Sequence, residues 1–253
     1  MDLPSWLLTR PIAHRGLFDA EHPENSMAAF RNAVSRGIPF EMDVQLAEDG
    51  LLVVVHDRDL RRLTGSQIAT SQVDRSKLRY LRIGASDEPI PLLRDVLDEV
   101  NDRVPILVDV RRWTVGVSSQ LEREVVAAIR GYTGPLAVQS FDPLTVLRFR
   151  RLIRTHPVGQ VSGRLESAGR ITRFFGRAMA ANLLSRPDFV NIELKALPSR
   201  YVDFWRDQLD IPVIAWTVES AEDEDRARRL ASNFLFDSYL PAAYRQAADE
   251  TGR

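Results

Sequence analysis

Two histidines stand at the ends of strand-like runs and bracket a pair of carboxylates. His14 closes the run Pro-Ile-Ala-His14 just before Arg15 and Gly16. His56 closes Leu-Leu-Val-Val-Val-His56 just before Asp57, and between the two lie Glu41 and Asp43 in Phe-Glu41-Met-Asp43-Val. The chain has four histidines, and two of them occupy these settings within its first quarter. Imidazoles titrate near pH ~6.5 and can give and take protons at working pH. An arginine is a fixed cation, and carboxylates hold hard metal ions. Together these groups suit the cleavage of an anionic phosphate ester.

Glu41 and Asp43 are two apart on a strand, so their side chains share one face. Phe40, Met42 and Val44 take the other face, which suits packing under helices. Asp109 and Arg111, in Leu-Val-Asp109-Val-Arg111, repeat the pattern on a later strand. Buried carboxylates are costly unless a cation neutralises them. Glu41, Asp43 and Asp109, in a chain without cysteine, therefore describe a site for one divalent hard ion: Mg²⁺, Ca²⁺ or Mn²⁺.

Taken singly, each residue has an ordinary explanation. A strand carboxylate is usually a salt-bridge partner, and a lone histidine is usually structural. His22, in a polar loop, and His156, before a proline, fit that description. Glu24 and Asn25 could be helix caps. Arg15 could bind phosphate or pair with a site carboxylate. Trp216 either lines a pocket or fills a layer of the core. Gln139, Asn191 and Glu193 also fall near strand ends, Lys195 reads as surface, and the arginines at 58, 61 and 62 read as a solvated face. The inference rests on the conjunction of His14, His56, Arg15, Glu41, Asp43, Asp109 and Arg111.

Positioning such a set takes a sheet. Short β-rich runs at 12–14, 40–44, 52–56, 106–110, 136–140, 158–161, 189–192, 213–217 and 234–237 alternate with helical patterns. The helices are expected over 26–36, 91–101, 119–130, 143–154, 171–184, 198–208 and 221–231. That alternation predicts parallel strands with helical crossovers. Nine runs exceed an eightfold barrel by one. Only seven residues separate Val44 from Leu52, too few for a parallel crossover, and Asp49-Gly50 is a hairpin signal. The run ending at His56 is therefore an antiparallel arm folded over the Glu41–Asp43 strand. The expectation is an α/β chain with a (β/α)8 TIM barrel as one domain over 1–253. A hairpin and polar insertion, about residues 45–90, sits at the active face, with residues 57–90 as a loop-like insertion.

Composition narrows the class. The chain has 253 residues, the size of one such barrel, and its 34 basic against 35 acidic residues leave a net charge of −1. Nothing there suggests binding to nucleic acid. The absence of cysteine excludes disulfides and a thiolate nucleophile. No apolar run is long enough for a transmembrane segment. The N-terminus lacks the marks of a signal peptide, so a cytoplasmic setting is expected. Oligomeric state is not legible.

Ala-His14-Arg15-Gly16, Pro23-Glu24-Asn25-Ser26, Glu41-Met-Asp43-Val, Asp49-Gly50 and Val-Val-His56-Asp57 together resemble the glycerophosphodiester phosphodiesterase family. Weaker matches follow at Gln139-Ser140-Phe141-Asp142, Trp216-Thr217-Val218 and Phe236-Asp237. The resemblance implies a phosphatidylinositol-phospholipase-C-like barrel. It also implies metal-dependent hydrolysis of small glycerophosphodiesters to glycerol 3-phosphate and an alcohol, with the substrate's own glycerol hydroxyl attacking first. It makes His14 and His56 the acid/base pair, Arg15 a phosphate ligand, and Glu41 and Asp43 metal ligands. Asp109 and Arg111 stand where the family has Glu and Lys. Arg111 and Trp216 are further substrate-binding candidates. Two alternatives stay open: a lysophospholipase-D-like enzyme acting on a lipid diester, and a catalytically silent barrel that binds a ligand.

Overall fold

The structure is a computed structural model describing residues 3–113, 118–163 and 181–245. The chain forms two compact units: residues 15–136, and residues 1–14 together with 137–253.

In the unit spanning 15–136, strand β2 (Phe40–Leu46) pairs in parallel with β4 (Ile106–Val110). The register sets Asp43 beside Asp109. On its other side β2 pairs antiparallel with β3 (Leu52–Val54), with Val44 opposite Val54. The predicted turn lies between them: Asp49 (φ 57°) and Gly50 (φ 75°) both adopt the left-handed region that reverses the chain. Helices Met27–Ser35, Leu93–Val100 and Gln120–Ile129 flank these strands. The first is capped by Ser26, whose Oγ accepts from the Ala29 N–H at 3.1 Å.

Residues 57–90 are more structured than their polar sequence suggests. Short helices at Arg61–Thr64 and Arg75–Leu78 carry a core of their own. Leu60, Leu63, Val73, Leu81, Ile83 and Ile90 pack there with Val53 and Val55 of the hairpin arm. Of those within 57–90 only Leu63 lies inside a helix and the rest lie in the turns and connections around the helices, so no single element shows a period.

In the other unit six strands run parallel in the order β1–β9–β8–β7–β6–β5. They are β1 (Ile12–Ala13), β5 (Leu136–Ser140), β6 (Val158–Ser162), β7 (Phe189–Glu193), β8 (Val213–Val218) and β9 (Asn233–Phe236). With β2 and β4 the described parallel strands number eight, and β3 is the antiparallel ninth. The helices at Pro143–Leu152, Arg200–Leu209 and Ala221–Leu230 match the expected spans to within about two residues. Most of the helix expected at 171–184 lies outside the described residues; a short helix at Asn182–Ser185 is present. Among the described residues no helix is long and apolar enough to cross a membrane.

Candidate active site

Glu41, Asp43 and Asp109 are buried, and each offers a carboxylate oxygen within 4.8 Å of the others. Strand geometry explains the cluster: Glu41 and Asp43 alternate on β2, and the parallel register brings Asp109 alongside from β4. Burial, then the neighbouring Asp43 and Asp109 charges, push the Glu41 carboxyl well above the ordinary carboxylate range.

Two arginines partly offset this charge. Arg111 reaches across from β4, placing Nε 2.5 Å from Asp43 Oδ1 and a terminal nitrogen 3.4 Å from Asp109 Oδ2. Although burial works against it, Asp43 and Asp109 hold the guanidinium firmly charged. Arg15 lies with Nε 3.5 Å from Asp43 Oδ2 and donates to Glu24 at 3.0 Å. Its backbone N–H donates to Glu41 Oε2 at 2.8 Å.

The His-Arg-Gly loop is bent to make these contacts. Arg15 has φ 58°, a conformation that costs a non-glycine residue roughly 1–2 kcal/mol. It is held by the Glu41 bond and by its own carbonyl, which accepts from the Asn25 N–H at 2.9 Å. Gly16 follows at φ 84°, where a Cβ would stand 2.9 Å from the Ala29 Cβ. Only glycine fits there. Asn25 is wholly buried at φ 53°. It is more than a helix cap: its amide donates to Asp43 Oδ2 at 2.9 Å and its Oδ1 accepts from the Asp43 N–H at 3.1 Å.

His56 is placed by the hairpin. Just past the end of β3, the Val55 N–H donates to the Asp43 carbonyl at 2.9 Å, which holds the following His56 beside the carboxylate strand. Gln45, two residues beyond Asp43, fixes the arm's end by donating to the carbonyls of Val55, His56 and Asp57 at 2.7–3.0 Å. The His56 Nδ1 lies 2.7 Å from Asp57 Oδ1. A carboxylate can only accept, so Nδ1 carries the proton and Nε2 is the basic nitrogen. Burial lowers the imidazole's pKa, and the Arg111 and Arg15 charges add to that effect against Asp43.

Arg62 completes the ring of charges. Its Nε donates to Asp57 Oδ2 at 2.7 Å, and its terminal nitrogens grip Glu24 at 2.5 and 3.0 Å. The sequence reading placed Arg62 on a solvated face; half-exposed as it is, it joins the His56 partner to the Arg15 partner. Nothing in the sequence marks this role. Within the unit the ring counts five carboxylates (Glu24, Glu41, Asp43, Asp57 and Asp109) against three guanidiniums (Arg15, Arg62 and Arg111). Three buried carboxylates offering all-oxygen donors within 4.8 Å of one another fit a hard metal ion.

His14 belongs to the other unit, where its Nδ1 lies 3.0 Å from Asp237 Oδ2. In the same unit Trp216 donates from Nε1 to the carbonyls of Ser162 and Asn191 at 3.3 Å and meets Phe141 edge-on. Asn191 and Gln139 bond each other at 3.0 Å, as layer residues do. His22 pairs with Asp19, His156 with Thr155, and Lys195 is exposed.

The comparisons with known proteins agree with this picture. A solved structure from Silicibacter pomeroyi superposes with a TM-score of 0.80 at 19% identity, covering 97% of this chain and 94% of that one. An Oleispira antarctica phosphodiesterase, solved in complex with the product sn-glycerol-3-phosphate, gives 0.78 at 21% identity, covering 97% and 98%. This likeness shows an α/β fold with a closed eight-stranded parallel barrel and flanking helices. The glycerophosphoryl diester phosphodiesterase family matches residues 14–236. The chain belongs to that family, whose members are phosphoric diester hydrolases. A glycerophosphodiester phosphodiesterase of Bacillus altitudinis is 36% identical over 112 residues. That match takes in 41% of this chain and 44% of the relative, so it spans less than half the relative's length.

Proposed function

We propose that this protein hydrolyses glycerophosphodiesters to glycerol 3-phosphate and an alcohol. One divalent cation, Mg²⁺, Ca²⁺ or Mn²⁺, would be held by Glu41, Asp43 and Asp109, with His14 and His56 as the acid/base pair. The observation that carries this reading is the buried three-carboxylate cluster ringed by Arg15 and Arg111, with His56 held next to it by the Val55–Asp43 backbone bond, in a member of this family. The product bound by the Oleispira relative is the product proposed here.

A divalent cation at the cluster supplies positive charge to the phosphate oxygens when bound. Arg15 and Arg111 orient the phosphate and add charge where it builds in the transition state. His56, kept neutral by burial, takes the proton of the attacking hydroxyl at Nε2. His14, with Nδ1 held by Asp237, gives a proton from Nε2 to the leaving alkoxide. The substrate's glycerol hydroxyl thus closes a cyclic phosphate, which water then opens to glycerol 3-phosphate with the two histidines in reversed roles. Trp216 walls the substrate in this reading. Leu60, Leu63, Val73, Leu81, Ile83 and Ile90 turn into a core of their own, which favours a small water-soluble diester over a long acyl chain.

The test is turnover of glycerophosphodiesters by His14→Ala and His56→Ala, with the fold checked by circular dichroism. Each should lose on the order of 10²–10⁴-fold. A variant that turns over normally would remove that histidine from the mechanism.

A further inference from the structure

Beside the carboxylate cluster lies a hollow of about 420 Å³, lined by Arg58, Arg111, Arg112, Trp113, Gln45 and Gln120 among others. It is of ligand-binding size. It adjoins the site twice over: Arg111 is the residue that grips Asp43, and the Trp113 ring stands edge-on to His56 with centroids 6.5 Å apart.

The wall has a marked charge. No carboxylate is among its described lining residues, whereas three arginines are. Arg111 is matched by Asp43 and Asp109, and Arg112 donates to both oxygens of buried Glu122 at 2.8 Å. Arg58 is exposed, and no described carboxylate pairs with it. The Gln120 side chain adds an amide group that suits a hydroxyl or carboxylate partner, whereas the Gln45 amide nitrogen is held by the hairpin carbonyls. Trp113, 45% exposed, offers a flat apolar face. Taken alone, that face would attract a cation; Arg58 opposes this.

We propose that this hollow receives the alcohol arm of the phosphodiester and selects anionic or neutral hydroxylated arms over cationic ones, with Arg58 as the specificity-determining residue. The inference rests on the phosphodiesterase reading above and names its substrate class. A phosphate placed between Arg111 and His56 has this hollow on one side, so one arm of the diester enters it. A quaternary ammonium there would meet an unneutralised guanidinium with no carboxylate on the wall to offset it. Like charges so placed are a means of discrimination.

The experiment uses the full chain with divalent metal and three glycerophosphodiesters that share an ethylene spacer, the neutral and cationic arms being isosteres and the anionic arm ending in a smaller carboxylate. Their alcohols are 3-hydroxypropionate (anionic), 3,3-dimethylbutanol (neutral) and choline (cationic). The expected order of kcat/KM is anion, neutral, cation, with about tenfold or more between the extremes at low salt and a narrower span at high salt. Arg58→Glu should invert the order. Because the order is a ratio within one variant, a general loss of activity cancels. A choline ester turned over faster than its neutral isostere, or an order unmoved by Arg58→Glu, overturns the proposal. If none of the three is hydrolysed, the phosphodiesterase reading fails instead. Quenching of Trp113 fluorescence, identified by its loss in Trp113→Phe, then decides the hollow's preference. Tighter binding of the anionic ester supports it, and equal binding of all three overturns it.

Discussion

His14 and Asp237 are 223 positions apart and meet at 3.0 Å. The register of β1 on β9 brings them together: Ile12 pairs with Leu235 and Ala13 with Phe236, so the next residues on each strand fall side by side. The His14 N–H donates to the Phe236 carbonyl at 2.9 Å and fixes the backbone as well. A carboxylate on Nδ1 settles the tautomer and aims the other nitrogen. Asp237 is thus a positioning residue. Asp237→Asn should lower kcat on the order of 10²-fold, leave KM nearly unchanged and move the pH profile. An equal loss in kcat at every pH, or none, would contradict the role.

Arg62 makes a second expectation. It holds Asp57, which holds His56, and with its other nitrogens it holds Glu24, which holds Arg15. Exposed ion pairs contribute little to stability, so Arg62→Ala should leave the melting temperature nearly unchanged. Loosening two site residues at once should instead cost about tenfold or more in kcat/KM. Arg62→Lys should restore little, because a point charge cannot grip both carboxylates in a fork. Wild-type kinetics in Arg62→Ala would reduce the clamp to surface decoration.

Glu41 gives a linkage prediction. Burial and its acidic neighbours raise its pKa, so in metal-free protein the neutral carboxyl is favoured below that raised value. An ion binds the carboxylate, so binding must release the proton. Metal affinity should rise with pH over that range. Calorimetric binding enthalpies should also vary between buffers of different ionisation enthalpy. Asp109→Asn should weaken the affinity, because it removes one of the three carboxylates that could hold the ion. An enthalpy identical in all buffers, together with an unmoved affinity in Asp109→Asn, would contradict the cluster's role.

What the sequence could reveal was set by what is local. The alternation on β2, the Asp49-Gly50 turn and the shared face of Asp109 and Arg111 follow from neighbouring residues, and the structure has them. Gln45 was within reach by the same rule, since it continues the Glu41–Asp43 face. Asp237 entered only through the weaker family match at Phe236-Asp237, with no role attached, and Arg62 read as part of a solvated face. Their roles depend on a register between distant strands and on a half-exposed side chain that sequence alone makes look solvated. The sequence left the cap of the first flanking helix open between Ser26 and Asn25; the structure gives it to Ser26 and leaves Asn25 to bind Asp43. The core within residues 57–90 was hidden because its residues come mostly from turns rather than from one periodic element.

The central claim is that the Glu41–Asp43–Asp109 cluster holds an ion needed for phosphodiester cleavage. Release of glycerol 3-phosphate from a glycerophosphodiester should be measured before and after chelation and again on adding back Mg²⁺, Ca²⁺ or Mn²⁺. The account predicts that release stops with chelator and returns with at least one of these ions. Undiminished release in chelator, or none with any of the three, would contradict it.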